Sequence, residues 1–363
     1  MFKYVGNKET NNDIPGDISK FLTEELVNYI IVKDGFIIKK KLDSSFDKLG
    51  LKDIKEAITE KDKDIFDNTF LNDSEDDAYQ YNLEEINSGL LINVPRNLAF
   101  VDTLHVFYIQ ESSDLVNNTL IVLEPNSEFK YFEYIFNSGE ASVNFVSNSI
   151  VKENAKLTYS GLSKLSDKSV VSVIRNSYVN RYGNCVYSIA EINDSLTDSK
   201  TNIYLQEQYA SGTSKTIAIT NKEQSARFTQ LVEHNAPDTE GFIENYGVAN
   251  NNSALVFEGI GKINKDMKRS TARQQNRGIV LGVNSRLDAN PLLLIDEYDV
   301  EASHGAAIGK IDEDQLYYLM SRGLTHKNAQ RLIISGFLSP LISLMTTQEL
   351  IEDFIGSVEN KTL

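Results

Sequence analysis

Residues 104–123, Leu104-His-Val-Phe-Tyr-Ile-Gln-Glu-Ser-Ser-Asp-Leu-Val-Asn-Asn-Thr-Leu-Ile-Val-Leu, contain the pattern that decides the fold. Two short runs of apolar, β-branched and aromatic residues flank a polar link. Similar runs recur at Leu90-Leu-Ile-Asn-Val, Val143-Asn-Phe-Val, Leu157-Thr-Tyr, Val170-Val-Ser-Val-Ile, Val186-Tyr-Ser-Ile, Ile217-Ala-Ile, Phe228-Thr-Gln-Leu-Val and Ala254-Leu-Val-Phe. Only Pro125 and Pro237 occur between residues 100 and 290, so little interrupts strand pairing. Residues 88–303 are therefore predicted to be all-β.

Periodicity alone leaves a sandwich, a propeller and a β-helix open. The irregular spacing of the runs, without a repeated blade-length motif, counts against a propeller. The length, the many small polar corners and the lack of tight Asn-Gly hairpin turns favour a β-helix, although no strict sequence repeat is present.

The flanks of this zone differ from it. Residues 1–87 are mixed and partly helical, and the acidic stretch 60–85 is expected to be a solvated segment or a docking surface for a basic partner. Residues 304–363 are predicted to be helical, with three amphipathic helices between 312 and about 357. We expect Asp312, Thr325 and Thr346 to cap these helices and Pro340 to end the second one.

Composition excludes several classes of function. The 363 residues carry a net charge of −16, which disfavours binding to nucleic acid or to anionic lipid. Cys185 is the only cysteine, so the chain cannot form an internal disulfide or hold an iron–sulfur cluster by itself. We expect Cys185 to be a small buried hydrophobe. Without an apolar signal region or a membrane-length apolar stretch, we expect a soluble, cytoplasmic protein.

Two groups of residues could carry chemistry. His304 lies in the small-residue stretch 302–309, between the last strand run and the first C-terminal helix, with Glu297 and Asp299 upstream. A histidine beside carboxylates is a candidate metal or acid–base site, and the alternative is a hinge with an exposed histidine. The second group is Glu233, Asp238, Glu240 and Glu244, which could supply the carboxylate pair of a glycosidase.

Six ordered blocks between about residues 230 and 340 resemble a known family. They are Glu233-His-Asn-Ala-Pro-Asp-Thr, Val256-Phe-Glu-Gly-Ile-Gly-Lys-Ile, Thr271-Ala-Arg-Gln-Gln-Asn-Arg-Gly, Asp299-Val-Glu-Ala-Ser-His-Gly-Ala-Ala-Ile-Gly-Lys-Ile-Asp, Gln315-Leu-Tyr-Tyr-Leu-Met-Ser-Arg-Gly-Leu and the run from Ala329 to Phe337. The chain is similar to the SufB/SufD family of iron–sulfur cluster assembly proteins. It resembles the SufD branch, because Gly305 follows His304 and the next helix lacks a cysteine.

The resemblance implies a right-handed parallel β-helix core and a non-catalytic scaffold role in the SUF system. It implies pairing with a SufB-like subunit and docking of a SufC-like ATPase on the C-terminal helices, for which Ser321, Arg322 and Lys327 form a candidate surface. In isolation the chain could form a homodimer. A carbohydrate-acting β-helix enzyme and a SufB-type scaffold that receives the cluster directly are the alternatives.

The resemblance also places His304 at the family's interface histidine. No cofactor is expected to bind tightly to the chain alone, and a transient iron or iron–sulfur cluster is expected at the partner interface. Some SufD-like chains carry a cysteine where this chain has Ala302. The site would therefore use His304, with Asp299 and Glu297 as weaker candidate ligands, and thiolates from the partner.

Overall fold

The core of the protein, in a computed structural model, is a parallel β-solenoid of about seven turns. The structure describes residues 3–6, 10–59, 76–111, 114–137, 139–342 and 345–362. Consecutive strands of the core alternate between two sheets, and each strand pairs in parallel with the strand two positions further along the chain. The predicted β-helix core with flanking helical parts is confirmed, and the sandwich and propeller alternatives are excluded.

The first sheet has ten strands, in the spatial order β19-β17-β15-β13-β11-β9-β7-β5-β1-β2. They are β1 (Tyr29–Lys33), β2 (Phe36–Lys41), β5 (Ala99–Gln110), β7 (Glu128–Asn137), β9 (Lys156–Lys164), β11 (Asn184–Glu191), β13 (Ser211–Thr220), β15 (Glu240–Ala249), β17 (Thr271–Val280) and β19 (Glu301–Gly309). The predicted boundary between residues 303 and 304 falls inside β19.

The second sheet has nine strands, in the order β18-β16-β14-β12-β10-β8-β6-β4-β3. They are β3 (Gly50–Asp53), β4 (Leu90–Val94), β6 (Leu115–Leu123), β8 (Ser142–Val151), β10 (Val170–Val179), β12 (Leu196–Leu205), β14 (Ser225–His234), β16 (Ala254–Ile263) and β18 (Arg286–Ile295). Together the two sheets enclose a narrow interior filled by alternate residues of each strand.

One corner of the solenoid is built from residues in the left-handed backbone region. These residues lie 27 to 29 positions apart, at Asn97, Asn126, Asn154, Tyr182, Tyr209 and Asp238. Asparagine adopts this conformation more easily than most residues, and its amide can bond along the stack. The Nδ2 atom of Asn154 donates to Oδ1 of Asn126 at 2.9 Å, and Asn126 donates to Asn97 at the same distance.

Helices precede and follow the solenoid in the chain. They are α1 (Gly16–Ser19), a 3₁₀ turn (Ser44–Phe46), α2 (Ile54–Thr59), α3 (Asp77–Glu84), α4 (Glu313–Ser321), α5 (His326–Ile342) and α6 (Gln348–Thr362). Asp312 caps α4 as predicted, its carboxylate accepting the backbone N–H groups of Asp314 and Gln315. The prediction that Pro340 ends the second helix is wrong, since the α5 backbone continues to Ile342.

The long C-terminal helices cover the outer face of the first sheet. Ile334 of α5 and Leu350, Phe354 and Val358 of α6 are buried in one cluster with outward-facing residues of the strands, such as Phe107. Because α5 and α6 are fixed in this way, α4 stays beside the end of the solenoid, three residues after β19. Within the part of the chain that the structure describes, no helix is long and apolar enough to cross a membrane.

Candidate functional site at the open end of the solenoid

His304 lies on β19, the last strand of the first sheet. All nine residues of β19 are exposed. β17 pairs with one edge of this strand, and among the described residues no strand pairs with the other edge. The sequence predicted a strand-to-helix junction here, but the stretch pairs with β17 over its whole length. His304 is therefore held by a regular ladder, with Gln274 as its register partner.

A cavity of about 450 Å³ opens beside His304. Its lining comes from β15, β17 and β19 and includes Ile243, Glu244, Arg273, Gln274, Ser303 and His304. Gln274 is buried and faces the interior, and its Nε2 atom donates to the backbone oxygen of Leu292 at 2.7 Å. His304 therefore lies at the open end of the solenoid, next to the buried side-chain amide of Gln274.

The upstream carboxylates are placed differently. Glu297 lies in the turn before β19, where its carboxylate accepts the backbone N–H groups of Tyr298 at 2.9 Å, Asp299 at 3.2 Å and Asp266 at 3.1 Å. These bonds, led by that from Asp299, lower the pKa of Glu297. No group of three His, Cys, Asp or Glu residues that could hold a metal occurs among the described residues. The metal-binding roles of His304, Glu297 and Asp299 therefore remain predictions.

The predicted partner surface on the C-terminal helices is accessible. Ser321, Arg322 and Lys327 are all exposed where α4 turns into α5. The hydroxyl of Ser321 donates to the backbone oxygen of Tyr318 at 2.7 Å, and the Arg322 guanidinium lies 5.2 Å from the centre of the Tyr318 ring. These contacts fix the polar residues against an aromatic side chain that is itself exposed.

The same surface has an apolar part. The sequence predicts amphipathic helices packed on one another or on a partner, and the stripe at Leu316, Leu319 and Met320 lies on α4, in which no residue is buried. Tyr317, Tyr318, Met320 and Leu332 are 74%, 56%, 42% and 53% exposed. A cavity of about 420 Å³ lies between α4 and α5, lined by Asp314, Gln315, Tyr318, Leu319 and Ile333. The helical period reveals such a stripe but cannot say what covers it.

The lone cysteine lies inside the solenoid. Cys185 is completely buried, and its Sγ atom accepts a hydrogen bond from Ser177 at 3.2 Å. Burial raises the pKa of this thiol to about 12. The prediction of a buried, hydrophobe-like cysteine is confirmed.

Three of the four carboxylates considered for sugar hydrolysis are engaged by cations. Glu233 accepts from Lys262 and Asn264, both at 2.9 Å, on the second sheet. Glu244 forms an ion pair with Lys215 at 3.3 Å on the first sheet. The carboxylate of Asp238 accepts hydrogen bonds from both Nε and Nη2 of Arg269. Three of the four carboxylates therefore neutralise cations along the solenoid, and this arrangement does not support a glycosidase.

The comparisons with known proteins agree with this fold. Residues 107–337 match the family model described as SUF system FeS cluster assembly, SufBD core domain. The match covers the solenoid from β5 to β19 and continues through α4 into α5. The chain therefore belongs to the SufB/SufD family.

The similarity to individual relatives places the chain nearer to SufD. It is 35% identical over 290 residues to the iron-sulfur cluster assembly protein SufD of Bacillus subtilis, across 76% of this chain and 64% of that protein. It is 24% identical over 272 residues to an iron-sulfur cluster assembly SufBD family protein of Staphylococcus haemolyticus, across 73% and 58%. The chain thus spans about three fifths of the length of the curated relatives it matches, and it is SufD-like.

Proposed function

We propose that the chain is a non-catalytic scaffold subunit of SUF iron–sulfur cluster assembly that pairs with a SufB-like subunit through β19. The observation that carries this proposal is the complete exposure of this nine-residue strand. An uncovered strand edge offers unpaired N–H and C=O groups to another chain, and proteins usually shield such edges. Leu292 and Leu294 on the adjoining β18 are 40% and 51% exposed, which adds apolar area at the same end.

His304 would supply one ligand to iron that passes through this interface as cargo. One imidazole cannot hold a cluster, so the remaining ligands would be thiolates of the SufB-like subunit. The neutral ring is the form that binds metal. The buried Cys185 is on a different, interior position and is not part of this site.

The α4–α5 surface would dock a SufC-like ATPase. Exposed tyrosines and an arginine are the residue types that most often dominate binding energy at protein interfaces. Arg322, Tyr318 and Leu332 lie on this surface, and Ser321 and Lys327 add polar groups at its rim.

Two variants test the pairing and the metal role separately. Ile308→Arg places a charge on the exposed face of β19 and should abolish co-purification with a SufB-like subunit. The matched control is Val170→Arg, an exposed valine on β10 in the middle of the solenoid. Normal pairing by the Ile308 variant would move the interface elsewhere.

His304→Ala should leave both folding and pairing intact but stop cluster maturation in cells. Because the residue is exposed, its replacement should change the unfolding free energy by less than about 0.5 kcal/mol. Cluster maturation at the wild-type level would remove His304 from the site, and loss of pairing would make it an interface residue rather than a ligand.

A further inference from the structure

The interior of the solenoid changes character along its length. We call β6–β12 (residues 115–205) the N-terminal half and β13–β19 (residues 211–309) the C-terminal half. In the N-terminal half large side chains stack: the ring centres of Tyr131, Tyr159 and Tyr187 follow one another at 4.9 and 4.6 Å. Such stacking fills the interior of each turn against the next.

Interior polar groups of the C-terminal half are poorly satisfied. Within the described residues, the buried interior side-chain atoms that lack a hydrogen-bond partner from β6 onward are Ser214 Oγ, His234 Nε2, Asn245 Oδ1, Gln274 Oε1 and Asn276 Nδ2. All five belong to β13, β14, β15 or β17. A buried polar atom without a partner destabilises the folded state. Asn118, Asn148 and Ser188 of the N-terminal half also have such atoms, but these residues face outward, so the difference between the two halves lies in the interior.

The interior of the C-terminal half is also rich in glycine. Six of its interior positions are glycine: Gly212, Gly241, Gly247, Gly259, Gly261 and Gly278. At each, an added Cβ would come within 2.6 to 3.1 Å of a side chain from another strand, so the glycines make room for those side chains. Gly259 and Gly261, for instance, accommodate the amide of Gln274. A glycine adds no apolar side chain to the interior, so these six positions contribute no side-chain hydrophobic stabilisation.

The last strands of the C-terminal half are exposed to solvent. β19 is fully exposed, and alternate residues of β18 are exposed as well. In a solenoid each turn contacts only its neighbours, so a weak terminal stretch can open while the rest stays folded.

We propose that the C-terminal half opens locally as one unit in the free chain and is held in register by the protein that covers its end. His304 would then be fixed in place only when that partner is bound. The inference rests on the proposed function only for the identity of this partner, a SufB-like subunit.

Hydrogen–deuterium exchange on the full chain tests the opening. The exchange rates of amides in β15 and β17 are compared with those of amides in β7 and β9. All four strands lie within the first sheet with a paired strand on each side, so edge position does not separate them. In the free chain we expect amides of β15 and β17 to exchange at least about 100-fold faster. Equal protection of the four strands would overturn the proposal.

A pair of variants tests the cause. Ser214→Ala removes an unpartnered interior hydroxyl of β13 without removing a hydrogen bond, and it should slow exchange in β15 and β17 by about tenfold. The control is Thr213→Ala, on the opposite, half-buried face of the same strand, which should change nothing. Unchanged exchange in the Ser214 variant, with a difference present in the wild type, would reduce the effect to simple end fraying and overturn the assigned cause.

Saturation with the SufB-like subunit tests the coupling. Bound partner should bring β15 and β17 to the protection of β7 and β9. Binding without any gain in protection would overturn the coupling, while a failure to bind would contradict the proposed function and leave the free-chain experiments to decide the local opening.

Discussion

The guanidinium of Arg175 lies between two buried carboxylates inside the solenoid. Its Nη2 atom is 2.7 Å from Oε1 of Glu133, and its Nη1 atom is 3.1 Å from Oε1 of Glu191. All three side chains are essentially inaccessible to solvent. The hydroxyls of Tyr159, Ser163 and Ser199 donate to the carboxylates, so this polar network in the N-terminal half is well satisfied.

Arg175→Met should destabilise the chain strongly. Removing the cation leaves two carboxylates buried near each other, and breaking a buried ion pair costs about 3–5 kcal/mol. Urea unfolding followed by circular dichroism measures the loss, with Arg227→Met as a control on the exposed face of β14. A change below about 1 kcal/mol would show that the interior relaxes or admits water.

Acid should destabilise the protein through its buried histidines. The imidazole of His105 is 2.5 Å from the Thr346 hydroxyl and 3.3 Å from the Asn28 backbone oxygen, and burial lowers its pKa to about 4. An unfolded histidine has a pKa near about 6.5, so between these values the unfolded chain binds more protons. Stability should therefore be highest above about pH 6.5 and fall as the pH drops toward 4.

The variant His105→Gln should reduce this pH dependence. Between about pH 5 and 6, the slope of unfolding free energy against pH should decrease by about 1.4 kcal/mol per pH unit, the value for one proton. The exposed His326→Gln serves as the control and should leave the slope unchanged. An unaltered slope in the His105 variant would show that the imidazole is already accessible to water. His234, whose pKa burial also lowers to about 4, should keep part of the effect in either variant.

Cys185 should be chemically silent in the folded protein. A thiol with a pKa of about 12 carries almost no thiolate at pH 8, and the side chain is inaccessible. Iodoacetamide should modify the urea-unfolded chain quantitatively while leaving the native chain unmodified, as measured by intact mass. Stoichiometric modification under native conditions would reopen a role for this cysteine in sulfur or cluster chemistry. Cys185→Ala should likewise retain cluster maturation.

The solenoid could be predicted from the strand runs, but its period could not. Leu90-Leu-Ile-Asn-Val coincides with β4, and Ala254-Leu-Val-Phe begins β16. Register partners lie 26 residues apart between β10 and β12 and 32 residues apart between β16 and β18, so the period varies along the chain. It is set by corner positions such as Asn154, Tyr182 and Asp238, where backbone conformation repeats and residue type does not. A search for repeated letters therefore finds nothing.

The candidate site was predicted only in part, for two physical reasons. The sequence identified His304 but placed it at a strand-to-helix junction, because Ala302, Gly305 and Ala306 have low β propensity. In the structure, pairing with β17 overrides this low propensity and the stretch forms a strand. The stripe on α4 was visible as well. The exposure of this stripe depends on how α5 and α6 pack against the first sheet. Helical periodicity carries no information about such tertiary contacts.

The α4–α5 surface gives the sharpest test of the partner assignment. Deleting residues 312–363 would be a poor experiment, because α6 is tied to the solenoid. Asp353 on this helix is 2.7 Å from Lys20 and 3.0 Å from the Tyr134 hydroxyl, and Lys361 is 2.9 Å from Asp194. Removal of these contacts would uncover apolar area on the first sheet and destabilise the core.

Point changes avoid this problem because the targeted side chains are exposed. Tyr318→Asp combined with Leu332→Asp should weaken binding of a SufC-like ATPase by at least about 30-fold, as expected when central interface residues are lost. Unfolding free energy should stay within about 0.5 kcal/mol of the wild type for each change, since neither residue is in the core. The control is Tyr81→Asp, a half-exposed tyrosine on α3 at the other end of the chain. Titration of the purified ATPase by calorimetry measures the affinity, and undiminished binding by the double variant would place the docking surface elsewhere.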